Sequence, residues 1–305
     1  MPRLSIIVPH RHQDSRLEAT LLSLLENRPF DSEIIVVHDG TYGDPYQLGD
    51  EVIFIEEERS SNTLKLLNAG VMAACSPAVC VLLDGAIVTD GWGEAALSTL
   101  LETETAAVAV AVTTPRGQTS HGIDARLLNN TSFAQAGRVE ASSARTECIG
   151  PVLACGFYRR KVLLALGGWN EELEEHAADV ELALALDALG LACQCDVSTR
   201  IAIHAAQSRK LSSAAWKQLA SLVTAHGLVA PSWGNSLKSL IGGCLQGRLF
   251  TAAAWASGLR DAITIRRTQL RMNHARQQFP GDSSQQSLRI YQNKSAAAGP
   301  RRRAA

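Results

Sequence analysis

Two aspartates follow short apolar runs that the sequence predicts to be β-strands. Asp39 comes directly after residues 33–38 (EIIVVH), and Asp84 comes directly after residues 79–83 (VCVLL). A third run of this kind, residues 4–9 (LSIIVP), opens the chain. Runs of β-branched residues without polar alternation are typical of parallel strands covered by helices on both faces. Because ligands of open α/β sheets bind at the carboxyl ends of the strands, either acid is placed to bind a ribose, a base edge or a metal ion.

The residues between these runs show the spacing of helices packed on a sheet. Apolar residues recur at helical intervals over 16–26, 61–75 and 92–101, and two further strand-like runs lie at 52–55 and 106–112. Strands that alternate with helices in this way predict an α/β fold with a doubly wound, mostly parallel sheet. We therefore expect the two aspartates to face a single pocket.

A long polar segment interrupts this alternation at residues 114–147, and we interpret it as a surface loop with one short strand. Loops of this length in compact domains are typically functional. The pattern after it predicts a strand within 148–158, a helix over 159–166, a helix over 177–189 and short strands within 192–204.

Charge divides the chain into two unlike parts. Residues 1–208 contain 14 Lys and Arg against 28 Asp and Glu, whereas residues 209–305 contain 15 against 2. Such polarity is typical of two functions on one chain. We predict a catalytic domain over 1–208, a basic helical extension over 209–279, and a disordered tail over 280–305, where Ser, Gln, Ala and Arg dominate.

The basic extension allows two interpretations. An amphipathic helix with basic flanks can lie on an anionic membrane surface. The same helices can instead pack back on the acidic domain. We do not predict nucleic-acid binding, because the basic residues lack interleaved aromatic side chains.

Length and composition favour a cytoplasmic protein. The 305 residues, 46% of them hydrophobic, suffice for a large domain with an appendage. No run approaches the roughly eighteen uncharged apolar residues of a membrane span, and the N-terminus shows no signal-peptide pattern. We interpret the seven cysteines as reduced packing residues. Cys193 and Cys195 form a C-x-C pair; taking alternate strand residues to face opposite ways, we expect no metal shared between them.

Four segments, in order along the chain, carry a resemblance to a known family. They are SIIVP at 5–9, EIIVVHDG at 33–40, LLD at 82–84, and a segment over 158–182 in which the turn GGW at 167–169 precedes an acidic helix. Over about residues 3–208 the chain resembles the family 2 glycosyltransferases, whose fold is called GT-A. The resemblance implies a transferase that binds a nucleoside-diphosphate sugar.

The resemblance assigns a donor-binding role to residues at the predicted strand ends. Asp39 corresponds to the acid that binds the base, and a carboxylate is suited to accept hydrogen bonds from a base N–H. Pro9, His10 and Arg11 would form the wall of the base pocket, where His and Arg can stack on a base or pair with phosphate. Asn68 matches the family's Asn-x-Gly on the helix beside the donor. For Pro9, His10 and Asn68 the alternative is a purely structural role.

The metal motif of the family is incomplete in this chain. The family has Asp-x-Asp, whose last acid holds Mn²⁺ or Mg²⁺ against the diphosphate, and here the motif is Asp84-Gly85-Ala86. Hard divalent cations need several oxygen ligands, and alanine supplies none. Three alternatives follow: Asp84 and His204 hold the metal weakly, the enzyme works without one and a cation such as Arg11 compensates the leaving-group charge, or catalysis is lost.

The resemblance places the catalytic base at Asp179, within a degenerate form of the family's Glu-Asp-x-Asp-Leu segment in which Ala178 and Glu181 replace two acids. A carboxylate there can take the proton of an attacking hydroxyl, and a single displacement inverts the anomeric carbon. Trp169 and Glu175 are assigned to the acceptor side. One alternative is that Asp179 and Glu181 form the solvated first turn of a helix, where acids suit the dipole. Another is that the acidic cluster at 174–176, which contains Glu175, is only a solvated face, and Trp169 can equally be a core residue.

These expectations combine into one function and its rivals. We expect an inverting glycosyltransferase that moves a sugar from a UDP-linked donor to an acceptor hydroxyl in envelope polysaccharide or glycolipid synthesis. Its expected place is the cytoplasm or the inner face of the membrane. The first rival is a catalytically impaired homologue that binds a nucleotide sugar or a partner protein, which Ala86, Leu67 and Ala178 favour. The second is a nucleotidyltransferase, which would need a glycine-rich loop after the first strand.

Overall fold

The computed structural model describes most of the chain. The described residues are 2–11, 14–59, 61–115, 117, 119–123, 138–140, 148–203, 211–227 and 249–279. His204 and the tail predicted over 280–305 lie outside the described residues, so the predictions made for them remain predictions.

The described residues form one ten-stranded sheet. Its strands are β1 Leu4–His10, β2 Ser32–His38, β3 Val52–Glu56, β4 Ala78–Leu82, β5 Ala86–Ile87, β6 Ala107–Thr113, β7 Thr119–Ile123, β8 Arg138–Glu140, β9 Cys155–Arg159 and β10 Cys193–Ile203. The strand order is β3-β2-β1-β4-β9-β6-β10-β5, and β7 lies between β6 and β8 off this path.

Eight helices accompany the sheet within the described residues. They are α1 Asp14–Glu26, α2 Thr63–Ala73, α3 Glu94–Glu102, α4 Arg160–Leu166, α5 Glu175–Ala188, α6 Ser213–Ala225, α7 Leu249–Gly258 and α8 Ala262–Gln278. The apolar faces of α1, α2 and α3 meet the sheet as the helical spacing predicts, and most of their leucines are buried.

The sheet is mixed. Strands β3, β2, β1 and β4 run parallel, and so do β6 and β10. Strand β9 lies antiparallel between β4 and β6, and β5, β7 and β8 also pair antiparallel. The predicted α/β class is confirmed, whereas the direction of β9 is not visible in an apolar run, which fits a parallel or an antiparallel central strand equally well.

Close packing of α2 on the sheet brings the donor-side residues to one edge. A Cβ added at Gly70 of α2 would lie 2.4 Å from Cγ2 of Ile7, so only a glycine permits this approach. In the parallel ladder His10 pairs with His38, and Ile7 pairs with Val81. The carboxyl ends of β1, β2 and β4 therefore meet at the same edge of the sheet.

The segment predicted as a surface loop with one short strand, 114–147, contributes two strands, β7 and β8, to the sheet. Residues 124–137 and 141–147 lie outside the described residues. The strands expected within 192–204 are one strand, β10, whose register shifts between Asp196 and Arg200. Such a bulge bends a strand and explains why the pattern there is irregular.

The described part of the basic extension packs back on the acidic domain. Met272 and Ala275 of α8 are buried. Arg267 of α8 pairs with Glu172, and Arg271 pairs with Glu181 at 3.1 Å. No helix in the described residues is long and apolar enough to cross a bilayer.

The expectation that Cys193 and Cys195 face opposite sides of a strand, from which no shared metal was predicted, is wrong. Residues two apart on a strand share a face, and the Sγ atoms of Cys148 and Cys193 lie 3.6 Å apart. The Cys195 thiol also makes a hydrogen bond with the Cys148 thiol. This hydrogen bond and burial raise the pKa of Cys195. The three thiols therefore form one cluster beside β10.

Candidate active site

His10, at the end of β1, lies between two carboxylates. Its Nδ1 is 3.3 Å from Oδ2 of Asp84, and its Nε2 is 3.1 Å from Oδ1 of Asp14. The imidazole is fully buried. Burial opposes the charged form, but the hydrogen bonds to Asp84 and Asp14 outweigh it, and the pKa of His10 lies above its ordinary value of 6.5. The two carboxylates thus favour the protonated form of His10.

Asp39 directly follows β2, one residue after the partner of His10 in the ladder. Its side chain is fully buried, and Oδ1 accepts a hydrogen bond from Oγ1 of Thr41 at 2.6 Å. The acid predicted to contact the base is therefore at the expected edge and is covered.

Aromatic side chains line this edge next to His10. The ring of Tyr42 packs edge-on at 5.6 Å from the His10 ring and stacks on Phe54 at 5.7 Å. Burial raises the pKa of Tyr42 to about 12. Two buried polar atoms here, the Tyr42 hydroxyl and Nε of Arg11, have no hydrogen-bond partner among the described residues. Buried polar groups without partners are rare, and a polar ligand at this edge could satisfy these two.

Asp179 reaches the same edge through a short chain of hydrogen bonds. Its Oδ2 accepts from the backbone N–H of Leu153 at 2.7 Å, and its side chain is buried. The carbonyl of the next residue, Ala154, accepts from the N–H of Leu83 at 3.1 Å. Leu83 precedes Asp84, so one hydrogen bond from a backbone N–H to the Asp179 carboxylate and one backbone–backbone hydrogen bond connect the predicted base with the predicted metal acid. The alternative of a solvated Asp179 does not hold, since the side chain is covered.

Asn68 holds the glycine turn that precedes the acidic helix. Its Oδ1 accepts from the N–H of Trp169 at 2.9 Å, and its Nδ2 donates to the Trp169 carbonyl at 2.9 Å and to Glu171 at 2.8 Å. Gly168 has a φ of +68°, and a Cβ there would lie 2.1 Å from Oδ1 of Asn68. The predicted donor contact of Asn68 stays a prediction, and the contacts that the structure shows are to this turn.

The two residues assigned to the acceptor side lie in different environments. Trp169 is only 1% exposed and packs edge-on against Tyr158 at 5.5 Å, which favours the core alternative for its side chain. Glu175 begins α5 and is half-buried, and its Oε1 accepts from Oγ1 of Thr63 at 2.7 Å. The acceptor role of Glu175 and Trp169 stays a prediction.

The described residues do not fit a divalent cation by themselves. They contain no group of three His, Cys, Asp or Glu side chains arranged to hold a metal ion. Asp84 is engaged by His10, and Ala86 is buried in β5 opposite Ile203 of β10. His204 follows Ile203 but lies outside the described residues, so its predicted ligand role remains open. Mn²⁺ and Mg²⁺ need several oxygen ligands, and Asp84 supplies only one carboxylate.

Several residues of this site were not found from the sequence. Asp14 was expected only as a helix cap, and its position four residues after His10 is the signal that could have paired them. Tyr42 lies in a segment without periodicity. The N–H of Leu153 carries no residue-type signal, and Arg271 was one basic residue among many.

Comparison with known protein families matches the part of the chain that carries the donor-side residues. A sequence profile described as glycosyl transferase family 2 matches residues 5–167, more than half of the chain. The chain belongs to glycosyl transferase family 2. The predicted family and the predicted glycosyltransferase class are thereby confirmed. The profile ends at Gly167, so Asp179 lies beyond it.

One relative is similar to this chain over most of the chain's length. Over 229 residues the chain is 26% identical to the O-antigen biosynthesis protein RfbC of Myxococcus xanthus. The match covers 68% of this chain and 18% of that protein, so the chain spans about a fifth of the relative's length.

Two solved structures share the fold. The mannosyltransferase PcManGT from Pyrobaculum calidifontis, solved with GDP-Man and Mn²⁺, is 19% identical with a TM-score of 0.52, and 98% of this chain and 81% of that chain are covered. GalNAc-T7, solved with UDP, GalNAc and Mn²⁺, is 13% identical with a TM-score of 0.59, and the coverage is 89% and 54%. The predicted GT-A fold of this family 2 member is confirmed.

The charge on His10 predicts a pH-dependent stability. Since its pKa is raised in the folded state, His10 contributes stability that is fully present below pH 6.5 and is lost as the pH rises through the folded value. Urea unfolding of the wild type at pH 6 to 9 is expected to show this loss, and His10→Gln is expected to remove that part of the pH dependence. His274→Gln, at an exposed position of α8, is the matched control. An unchanged pH dependence in His10→Gln would contradict the assignment.

Proposed function

We propose that this protein transfers a sugar from a nucleoside-diphosphate sugar to an acceptor hydroxyl with inversion of the anomeric carbon. The observation that carries the proposal is the meeting of Asp39, Asp84 and Asp179 at one edge of the sheet. The Leu153–Asp179 and Leu83–Ala154 hydrogen bonds link the Asp179 and Asp84 segments. His10 links the Asp84 and Asp39 segments, since it contacts Asp84 and pairs with His38 in the ladder. This is the edge at which α/β sheets bind their ligands.

On the donor side, Asp39 accepts hydrogen bonds from the base, and Pro9, His10 and Arg11 form the wall of the pocket. The buried Nε of Arg11, without a partner among the described residues, can donate to a phosphate oxygen. We propose a UDP-linked donor. The two solved neighbours support a nucleotide in general, since one was solved with GDP-Man and the other with UDP.

On the acceptor side, Asp179 takes the proton of the attacking hydroxyl. Its Oδ2 is oriented by the N–H of Leu153, which fixes the carboxylate without neutralising it. The attack displaces the nucleoside diphosphate from the opposite face of the sugar, so the configuration inverts. Glu175, on the same helix, contacts the acceptor.

For the leaving group we propose that protein cations compensate for the incomplete metal motif. His10 already balances Asp84, and Arg11 lies next to it in the chain. Mn²⁺ in both solved neighbours supports a divalent ion in proteins of this fold. In this chain Ala86 replaces the acid that would hold it, so no step of the reaction is assigned to a metal.

The cellular role follows the curated relative. Its name, O-antigen biosynthesis protein, supports envelope polysaccharide or glycolipid as the acceptor class. We propose a cytoplasmic catalytic unit over 1–208, with 209–279 packed on it and the exposed arginines of α8, Arg266 and Arg276, free to face the inner surface of the membrane.

The donor site is tested by calorimetry with UDP. We expect the wild type to bind UDP and Asp39→Asn to bind it roughly tenfold to a hundredfold more weakly, because a hydrogen bond to a charged group contributes about 1.5–3 kcal/mol. Asp50→Asn, at an exposed position after the same strand, is the control and should bind as the wild type does. Equal affinity of Asp39→Asn and wild type would remove Asp39 from the donor site.

The same titration, combined with a turnover assay, distinguishes the proposed transferase from its rival. Ala86 favours a homologue that binds nucleotide sugars without transfer. UDP binding without turnover on any donor would support that rival. With Mn²⁺ present, we expect little change in UDP affinity; a large enhancement would show that residues beyond the described ones complete a metal site.

A further inference from the structure

We propose that Arg271, on the C-terminal helix α8, is a positioning residue for the transfer reaction. It ties α8 to the turn at 167–169 and to the helix that carries Asp179. The inference rests on the proposed function and adds a residue that lies outside the part of the chain matched by the family profile.

The Arg271 guanidinium contacts three acceptors from two elements. Nη1 pairs with Oε2 of Glu181 at 3.1 Å. Nη2 donates to the carbonyl of Leu166 at 3.2 Å and to the carbonyl of Gly168. A planar fork with five donors can satisfy such a set, which a single ammonium group cannot.

The turn is held from both sides. Asn68 of α2 binds the N–H and the carbonyl of Trp169, while Arg271 of α8 binds the carbonyl of Gly168. Gly167 and Gly168 both have left-handed φ values, +73° and +68°. Glycine adopts many conformations at little cost, so these two positions do not define the turn by themselves. The contacts from α2 and α8 select one conformation.

We call the contacts of Asn68 and Arg271 with the turn at 167–169 the clamp. The Arg271–Glu181 ion pair connects this clamp to α5, the helix that carries Asp179. Glu181 lies two residues after Asp179 on α5 and is 2% exposed, whereas the Arg271 side chain is 24% exposed. Burial raises the pKa of Glu181 above its ordinary value, and the Arg271 guanidinium offsets only part of this rise. A buried carboxylate requires its counter-ion, so Arg271 fixes α5 relative to the turn while Leu153 orients Asp179 from the other side.

Arg267 provides a matched control on the same helix. It lies one turn before Arg271 and pairs with Glu172, but both side chains are more than 60% exposed. Exposed pairs contribute little. Substitution at this position should therefore leave the turn and the reaction unchanged.

The test compares Arg271→Lys with Arg267→Lys by amide hydrogen exchange, UDP calorimetry and transfer kinetics. Lysine can keep the pair with Glu181 but cannot also bind both carbonyls. We expect faster exchange at 167–169, unchanged UDP affinity and a kcat lowered about 10- to 100-fold, the effect of a small misplacement of catalytic groups. Arg267→Lys should match the wild type in all three measurements.

If the lysine variant folds poorly, the double variant Arg271→Gln with Glu181→Gln is measured instead. It leaves no buried charge at this pair. Faster exchange with lowered kcat in either variant supports the proposal. Unchanged kcat in a folded variant, or unchanged exchange at 167–169, overturns it while the wild type remains active. A wild type inactive on every donor overturns the proposed function itself, so the two failures are distinguishable.

Discussion

Asp179→Asn is expected to lower kcat for sugar transfer by about a thousandfold, because general-base catalysis typically contributes a factor in that range. An amide has the shape of the carboxylate but cannot accept the proton of the attacking hydroxyl. The asparagine Oδ1 can still accept from the N–H of Leu153, which now bonds to Oδ2 of Asp179 at 2.7 Å. The fold and the UDP affinity should therefore persist, and the loss should appear in kcat.

The control for this substitution lies on the same helix. Asp187 is exposed, two turns after Asp179 on α5, and Asp187→Asn should transfer sugar at the wild-type rate. Single-turnover kinetics with a fixed donor and acceptor measure the chemical step directly. If Asp179→Asn and the wild type turned over equally, another group would have to take the proton.

The sequence could locate the donor edge because the relevant signals are local. Apolar runs with an acid at their end predict strands of a covered sheet, and the sheet rule then places Asp39 and Asp84 together. Strand direction is not a local signal, so the antiparallel β9 was missed. The contact that orients Asp179 comes from a backbone N–H, which every residue except proline has, and no side-chain pattern could indicate it.

Two features depend on charge pairs that form only in three dimensions. His10 was expected to form part of the pocket wall, which stays a prediction, and the structure adds that it is buried between Asp14 and Asp84. The opposite charges of the two parts of the chain allowed either membrane binding or packing on the acidic domain. Composition is the same in both cases, and the buried face of α8 with the Arg271–Glu181 pair shows that the described helix packs on the domain.

Gly168→Ala is expected to reduce the free energy of unfolding by about 3 kcal/mol, combining left-handed strain with the loss of a buried hydrogen bond. A Cβ at this position would lie 2.1 Å from Oδ1 of Asn68, the atom that accepts from the N–H of Trp169. Either the turn or the amide must move, and both changes break the clamp. Gly167→Ala is the matched control, since Gly167 has a similar φ of +73° but nothing within 4 Å of its added Cβ.

Comparison of Gly167→Ala with Gly168→Ala should therefore separate the cost of left-handed backbone strain from the cost of the clash with Asn68. Gly167→Ala carries the left-handed strain alone, about 1 kcal/mol, whereas Gly168→Ala carries both effects. In an Asn68→Ala background the obstructing amide is absent, and the cost of Gly168→Ala should fall to that of Gly167→Ala. Urea unfolding of the four variants measures this as a double-mutant cycle. Equal costs for Gly168→Ala in both backgrounds would show that Asn68 does not hold the turn, and the clamp that connects α2, α8 and the Asp179 helix would lose one of its two sides.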